Sequence, residues 1–233
     1  MGETFLGHVS DDALKEIVAI QDRIKKLDNS AESKQNFIAY IKNVWDGFIE
    51  GEHHKLFAKK LEAVAQGKIK RLIVNMPPRH TKSEFASVYF PSWIMGLRPD
   101  MKIMQTTHTA ELSARFGRKV RNLMDTNEYK QIFENVSLSA DSKSAGRWET
   151  NHGGEYFAAG VGGAITGRGA DLLIIDDPHS EQDALSASAL ESAYEWYTSG
   201  PRQRLQPGGI IVIVMTRWST LDLTEKLIRR MSE

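Results

Sequence analysis

Arg71-Leu72-Ile73-Val74-Asn75-Met76-Pro77-Pro78-Arg79-His80-Thr81-Lys82-Ser83 is the stretch on which the fold turns. Its first six residues form a short apolar run rich in branched side chains, the composition of a buried strand. Pro77-Pro78 stops that strand. From Lys82 to Met95 the chain reads as a helix with a break or kink near Pro91, because proline donates no intrahelical hydrogen bond.

The pattern repeats outward from this unit. Towards the C-terminus come a strand at Lys102 to Thr107, a helix from Glu111 to Met124, and a hairpin from Trp148 to Gly160 centred on Gly153-Gly154. Apolar strands follow at Asp171 to Asp176 and Ile210 to Thr216. Towards the N-terminus, apolar residues recur at helical spacing from Asp11 to Asp28 and from Asn36 to Gly67, as in Phe37, Tyr40, Ile41, Val44, Trp45 and Phe48. Strands alternating with helices predict an α/β domain whose mostly parallel central sheet is flanked by helices. The expected division is an N-terminal helical segment, 1–67, packed on a core of 68–233. Such sheets take their ligands at the carboxyl ends of the strands. The polar strand ends to inspect are therefore Pro77 to Ser83, Thr106-Thr107-His108, Asp176-Asp177 and Thr216-Arg217-Trp218.

Composition narrows the function classes. A chain of 233 residues that is 41% hydrophobic buries one sizeable core. The longest purely apolar run, Ile210 to Met215, is far short of the roughly 20 residues that span a bilayer, so a soluble protein with no membrane partner is expected. Met1 to Leu6 carries no export signal, and Leu6 stands where acylation wants Ser or Thr. The absence of cysteine excludes disulfides and thiol chemistry, and cytoplasm is the default compartment. Thirty basic side chains balance thirty acidic ones, so any DNA contact must come from local patches. His53 and His54, adjacent on a helix, point in divergent directions and are read as surface residues rather than a metal pair.

Met76 to Ser83 has the layout of a phosphate loop, with Lys82 and Ser83 where the lysine and the magnesium-binding hydroxyl belong, although Met76 and Thr81 stand in place of both glycines. Its amides from Arg79 to Ser83 would face an anion at a helix N-terminus. The plain alternative is a proline-stopped strand followed by a capped helix with an exposed lysine. Leu172-Leu173-Ile174-Ile175-Asp176-Asp177 favours the first reading, since a buried strand delivering two carboxylates is how phosphate-loop enzymes hold magnesium and position water. Asp176 is the metal-side carboxylate. Asp177 is the preferred catalytic base, one methylene shorter than the glutamate of many relatives, with Glu181 the alternative.

Four segments together resemble the large terminase subunits of tailed bacteriophages: Pro77 to Glu84, then Gly162-Gly163-Ala164-Ile165-Thr166-Gly167-Arg168-Gly169-Ala170-Asp171, then Ile174 to Pro178, and Met215-Thr216-Arg217-Trp218. The resemblance runs from the helices before Arg71 to the chain end. It implies a P-loop NTPase core in which Arg79, His80, Thr81, Lys82 and Ser83 bind ATP, Ser83 and Asp176 hold Mg²⁺, and Thr216 and Arg217 belong to a coupling motif beside the γ phosphate. It further implies double-stranded DNA, a portal protein and a small terminase subunit as partners, a ring homo-oligomer when assembled on the portal with a monomer in isolation as the alternative, and action in the host cytoplasm. Arg168, in its glycine-rich loop, becomes a candidate arginine finger for a neighbouring subunit, although support of Asp171 or a loop carbonyl is nearly as good an account. Nothing here looks like the nuclease segment that usually follows the motor in that family, so DNA cleavage is not expected, and the chain reads as an isolated motor domain or a truncated piece of a longer protein.

Basic clusters at Lys55 to Lys60, Arg115 to Arg121 and Lys226 to Arg230 each have helical spacing; any of them can be a solvated face or line a DNA channel. Two rival readings stand beside the motor. One is a nucleic-acid helicase, which would need a second similar core. The other is a non-catalytic nucleotide-binding scaffold whose loop has lost its glycines.

Overall fold

The computed structural model describes residues 11–140, 144–165 and 167–231. Met1 to Leu6, Thr166 and the terminal Ser232-Glu233, all used in the sequence reading, lie outside these. In chain order the elements are α1 (Asp11–Gln35), α2 (Phe37–Val44), α3 (Glu52–Ala65), β1 (Arg71–Asn75), α4 (Lys82–Glu84), a π segment (Phe85–Tyr89), α5 (Phe90–Leu97), β2 (Lys102–Thr107), α6 (Ala110–Met124) and α7 (Asn127–Ile132). There follow β3 (Arg147–Glu149), β4 (Glu155–Gly160), β5 (Ala170–Asp176), α8 (Ala187–Ser199), β6 (Leu205–Met215) and α9 (Leu223–Met231).

The strands make one sheet in the order β1-β6-β5-β2-β4-β3. Every pairing is parallel except β3 with β4, the expected hairpin, in which Trp148 stands opposite Tyr156. Its turn is made by Gly153 at φ +81°, a conformation that glycine adopts without steric penalty. The continuous apolar runs of β5 and β6 have a physical cause, since both faces of the sheet are covered. Leu172, Ile174, Val212 and Val214 point into one cluster, and Leu173, Ile175, Ile211 and Ile213 into the other.

The first cluster also holds Phe37, Tyr40 and Ile41 of α2 and Phe57, Leu61 and Val64 of α3, together with Phe85, Phe90 and Trp93. Phe37 sits at its centre, edge-on to Phe85 at 5.7 Å and to Phe90 at 6.0 Å. Burying such a ring is worth enough that truncation to alanine costs about 3–5 kcal/mol. The second cluster is closed by Tyr194 and Tyr197 of α8 and Leu223 of α9.

Three sequence expectations need correction. The first helix does not end at Asp28 but runs to Gln35, where Trp93 Nε1 donates to the Ser33 carbonyl at 2.8 Å and fixes its C-terminal end. The Asn36 to Gly67 stretch is two helices, separated by a turn with Gly47 at φ +73°. The helix after Lys82 does not break at Pro91 but widens before it. The proline ring would meet the carbonyl four residues back, on Ser87, so the chain switches to i→i+5 bonding and Phe90 N–H donates to the Phe85 carbonyl. No helix among the described residues is long and apolar enough to cross a membrane.

Candidate functional site

The strand order decides which side chains meet. Because β6 lies between β1 and β5, the turn after β1, Thr216 after β6 and Asp176-Asp177 after β5 come together at one end of the sheet. Neighbouring strands are about 4.8 Å apart, so β1 and β5 stand about 10 Å apart. Lys82 bridges that gap, its Nζ lying 2.8 Å from Asp177 Oδ2 and its side chain only 7% exposed. Asp177 Oδ1 accepts from the Thr216 amide at 2.9 Å, and its carbonyl accepts from His108 N–H at 3.3 Å. Asp177 itself has φ +41°, strained for a non-glycine residue. Three predicted strand ends are thus tied together through one carboxylate, with His108 from a fourth.

The turn between β1 and α4 is open to solvent from Pro77 to His80. Arg79 and Thr81 both have φ +62°, the left-handed region that costs a non-glycine residue roughly 1–2 kcal/mol. His80 Nδ1 lies 2.9 Å from the Pro78 carbonyl, and the Thr81 hydroxyl donates to the His80 carbonyl at 2.6 Å. The His80 amide closes the turn over Pro78 and Arg79, while the amides of Arg79, Thr81, Lys82 and Ser83 have no acceptor among the described residues. A row of unused N–H groups at the start of a helical rod is a ready anion site.

The reading of His53 and His54 as surface residues fails for His54. Its side chain is buried against Phe85, with ring centroids 5.0 Å apart, and its Nε2 lies 2.7 Å from Thr81 Oγ1. A signal for this was present in the sequence. His54 stands on the same helical stripe as Phe57, Ala58 and Leu61, which mark the buried face of α3.

Asp176 is 1% exposed. Its Oδ1 accepts from Ser83 Oγ at 3.0 Å and its Oδ2 from Ser87 Oγ at 2.7 Å; Ser87 Oγ accepts in turn from Gln105 Nε2 at 3.0 Å. Burial pushes the Asp176 carboxyl up from 3.8 to about 7, against the lowering effect of the Ser87 bond and with Asp177 adding to the rise. Ser87 and Gln105 were not foreseen. Gln105 was visible as one long polar side chain in the middle of β2, whereas the position of Ser87 depends on the π segment.

A magnesium ion suits these donors. Ser83 Oγ and Asp176 Oδ1 are adjacent hard oxygens, and Mg²⁺ typically takes one or two protein oxygens, completing its shell with water and phosphate. No group of three or more His, Cys, Asp or Glu side chains able to cage a metal occurs among the described residues.

The remaining predicted residues are dispersed. Glu181 is exposed in the turn after β5. Arg217 is paired with Asp222 and Glu225 at 2.9 Å each. Asp222 is fully buried and anchors the start of α9, accepting from the Trp218 and Glu225 amides. Thr216 remains at the site, its hydroxyl donating to the Met76 carbonyl at 3.3 Å. Arg168 stands just before the first residue of β5, at the opposite end of that strand from Asp176 and so about 20 Å away. There it pairs with Glu155 at 2.5 Å and lies 4.2 Å over the Phe157 ring.

No protein-family model matches this sequence, and no curated protein matches it. Among solved structures the fold is similar to the crystal structure of the HK97 bacteriophage large terminase, with a TM-score of 0.50 and 14% sequence identity. The match covers 79% of this chain but only 37% of that one. The chain therefore has a distantly terminase-like α/β fold.

Proposed function

We propose that this chain is the ATP-hydrolysing motor domain of a DNA-packaging terminase, coupling ATP turnover to translocation of double-stranded DNA. The observation that carries this reading is the buried Lys82 at the end of β1, flanked by unused amides and by the Ser83–Asp176 pair. The pair with Asp177 accounts for the buried charge, and the free amides beside it and the Ser83–Asp176 pair are what a phosphate and a magnesium ion would complete.

In this reading the amides of Arg79, Thr81, Lys82 and Ser83, with Arg79 and His80 at the open rim, receive the phosphates, and Lys82 supplies the charge that holds them. Ser83 and Asp176 hold Mg²⁺, which neutralises phosphate charge when bound. Lys82 cannot serve both a phosphate and Asp177 fully, so nucleotide loading weakens the Lys82–Asp177 pair. Asp177 is then available to take a proton from water, and the Thr216 amide, bonded to the same carboxylate, reports the change to β6 and α9. Arg168 is too far from its own Lys82 to act in cis, so the finger role is proposed in trans, within a ring of subunits. The portal protein, the small terminase subunit and the host cytoplasm remain part of the same proposal.

The test is Lys82→Ala assayed with Mg-ATP, alone and with double-stranded DNA. Loss of turnover with an unchanged circular dichroism spectrum is expected, together with a lowered unfolding midpoint because Asp177 loses its buried partner. A folded Lys82→Ala protein that hydrolyses ATP at the wild-type rate would refute the reading.

A further inference from the structure

The geometry points to His54 as a positioning residue that latches the left-handed turn at Thr81, substituting from α3 for the glycine that the turn lacks. The inference rests on the nucleotide-site reading above and deepens it. Thr81 has φ +62° and ψ +14°, a backbone conformation that only glycine adopts without penalty. Something outside the loop must hold it there. The hydrogen-bond directions around His54 are fixed by its neighbours. Gly51 N–H donates to Nδ1 at 2.9 Å, so Nδ1 carries a lone pair and the proton of the neutral ring is on Nε2. Nε2–H then donates to Thr81 Oγ1 at 2.7 Å, and the Thr81 hydroxyl passes its own proton towards the His80 carbonyl at 2.6 Å. Every group in this chain has one role, and the chain is closed with Thr81 in its left-handed conformation.

The ring itself cannot drift. It is stacked on Phe85 with planes 16° apart and lies 5.0 Å from Phe48, so the π segment and the turn between α2 and α3 hold it from two sides. Burial lowers its proton affinity, His53 lowers it further, and only Glu50 opposes them, which keeps the ring in the neutral form that the relay requires. The N-terminal helical segment thus shapes the loop without reaching its ligand.

A latch of this kind predicts epistasis that a core histidine does not. His54→Phe keeps the aromatic packing and removes the donor. In the otherwise native chain it should weaken Mg-ATP binding roughly tenfold, the equivalent of one left-handed residue released. His54→Gln, which retains a donor near the Nε2 position, should recover most of that loss. In a Thr81→Gly background, His54→Phe should change affinity less than about twofold, because glycine holds the turn unaided. Should His54→Phe fold poorly, Thr81→Ala removes the latch from the loop side, and adding His54→Gln to it should bring no further loss. The Thr81 Cα and Cβ chemical shifts, which report a left-handed backbone, are the second readout; measured without nucleotide, they should move towards ordinary values in His54→Phe and stay in place in His54→Gln. Equal losses in both backgrounds, or no loss in either, overturns the latch. If the native protein binds no Mg-ATP while the chemical-shift pattern holds, the latch stands and the nucleotide reading fails.

Discussion

Replacing Asp176 with asparagine sets two consequences of the same buried carboxylate against each other. The side chain is 1% exposed and its pKa is raised from 3.8 to about 7, chiefly by burial. Below pH 4 it is protonated in both folded and unfolded chains and contributes no pH-dependent term. Between pH 4 and 7 the unfolded chain gives up the proton while the folded one keeps it, so stability falls as pH rises. The slope is at most 1.36 kcal/mol per pH unit, and over the interval from 3.8 to about 7 the ceiling is about 4 kcal/mol. Asparagine has no such charge to bury and can still bond to Ser83 and Ser87. Urea denaturation of the metal-free, nucleotide-free Asp176→Asn protein should therefore match wild type near pH 4 and exceed it at pH 8 by about 2–4 kcal/mol. With Mg-ATP the order should reverse, since only the carboxylate attracts the ion, and below pH 7 metal binding to wild type should release a proton. A wild-type stability that is flat from pH 4 to 8, or an asparagine variant less stable at pH 8, would refute the electrostatic account of Asp176.

The two candidate bases should separate cleanly. Asp177→Asn is expected to bind Mg-ATP within a few-fold of wild type and lose turnover, whereas exposed Glu181→Gln should leave turnover intact; the reverse result in steady-state assays transfers the role to Glu181. Arg168→Ala and Lys82→Ala proteins, each inactive alone, should recover activity when mixed under conditions where the native chain assembles, and no recovery would remove Arg168 from the mechanism in trans. Gly154→Ala tests the fold alone. Its Cβ would lie 2.2 Å from the Pro99 carbonyl oxygen, and a loss of roughly 1–3 kcal/mol in thermal unfolding is expected.

The alternation of strands and helices was legible in the sequence because a parallel sheet covered on both faces demands uninterrupted apolar runs, and Leu172 to Ile175 and Ile210 to Met215 supply them within β5 and β6. The same logic located Lys82, Ser83, Asp176, Asp177 and Thr216, since polar residues that follow such runs must emerge at one end of the sheet. Local pattern carries no information on which strands become neighbours. That β6 separates β1 from β5, and so brings Thr216 into contact with Asp177, follows from pairings between residues more than a hundred positions apart, such as Ile73 with Ile213. The π segment was equally hidden: Pro91 was visible, but whether the chain kinks at it or widens before it depends on the packing around Phe85 and Phe90. That choice points Ser87 at Asp176. His54 shows the boundary between the two kinds of information most sharply. Its place on the buried stripe of α3 was written in the sequence, while its partner, a strained Thr81 in a loop 27 residues away, existed only once α3 and the turn had been folded against the same aromatic core.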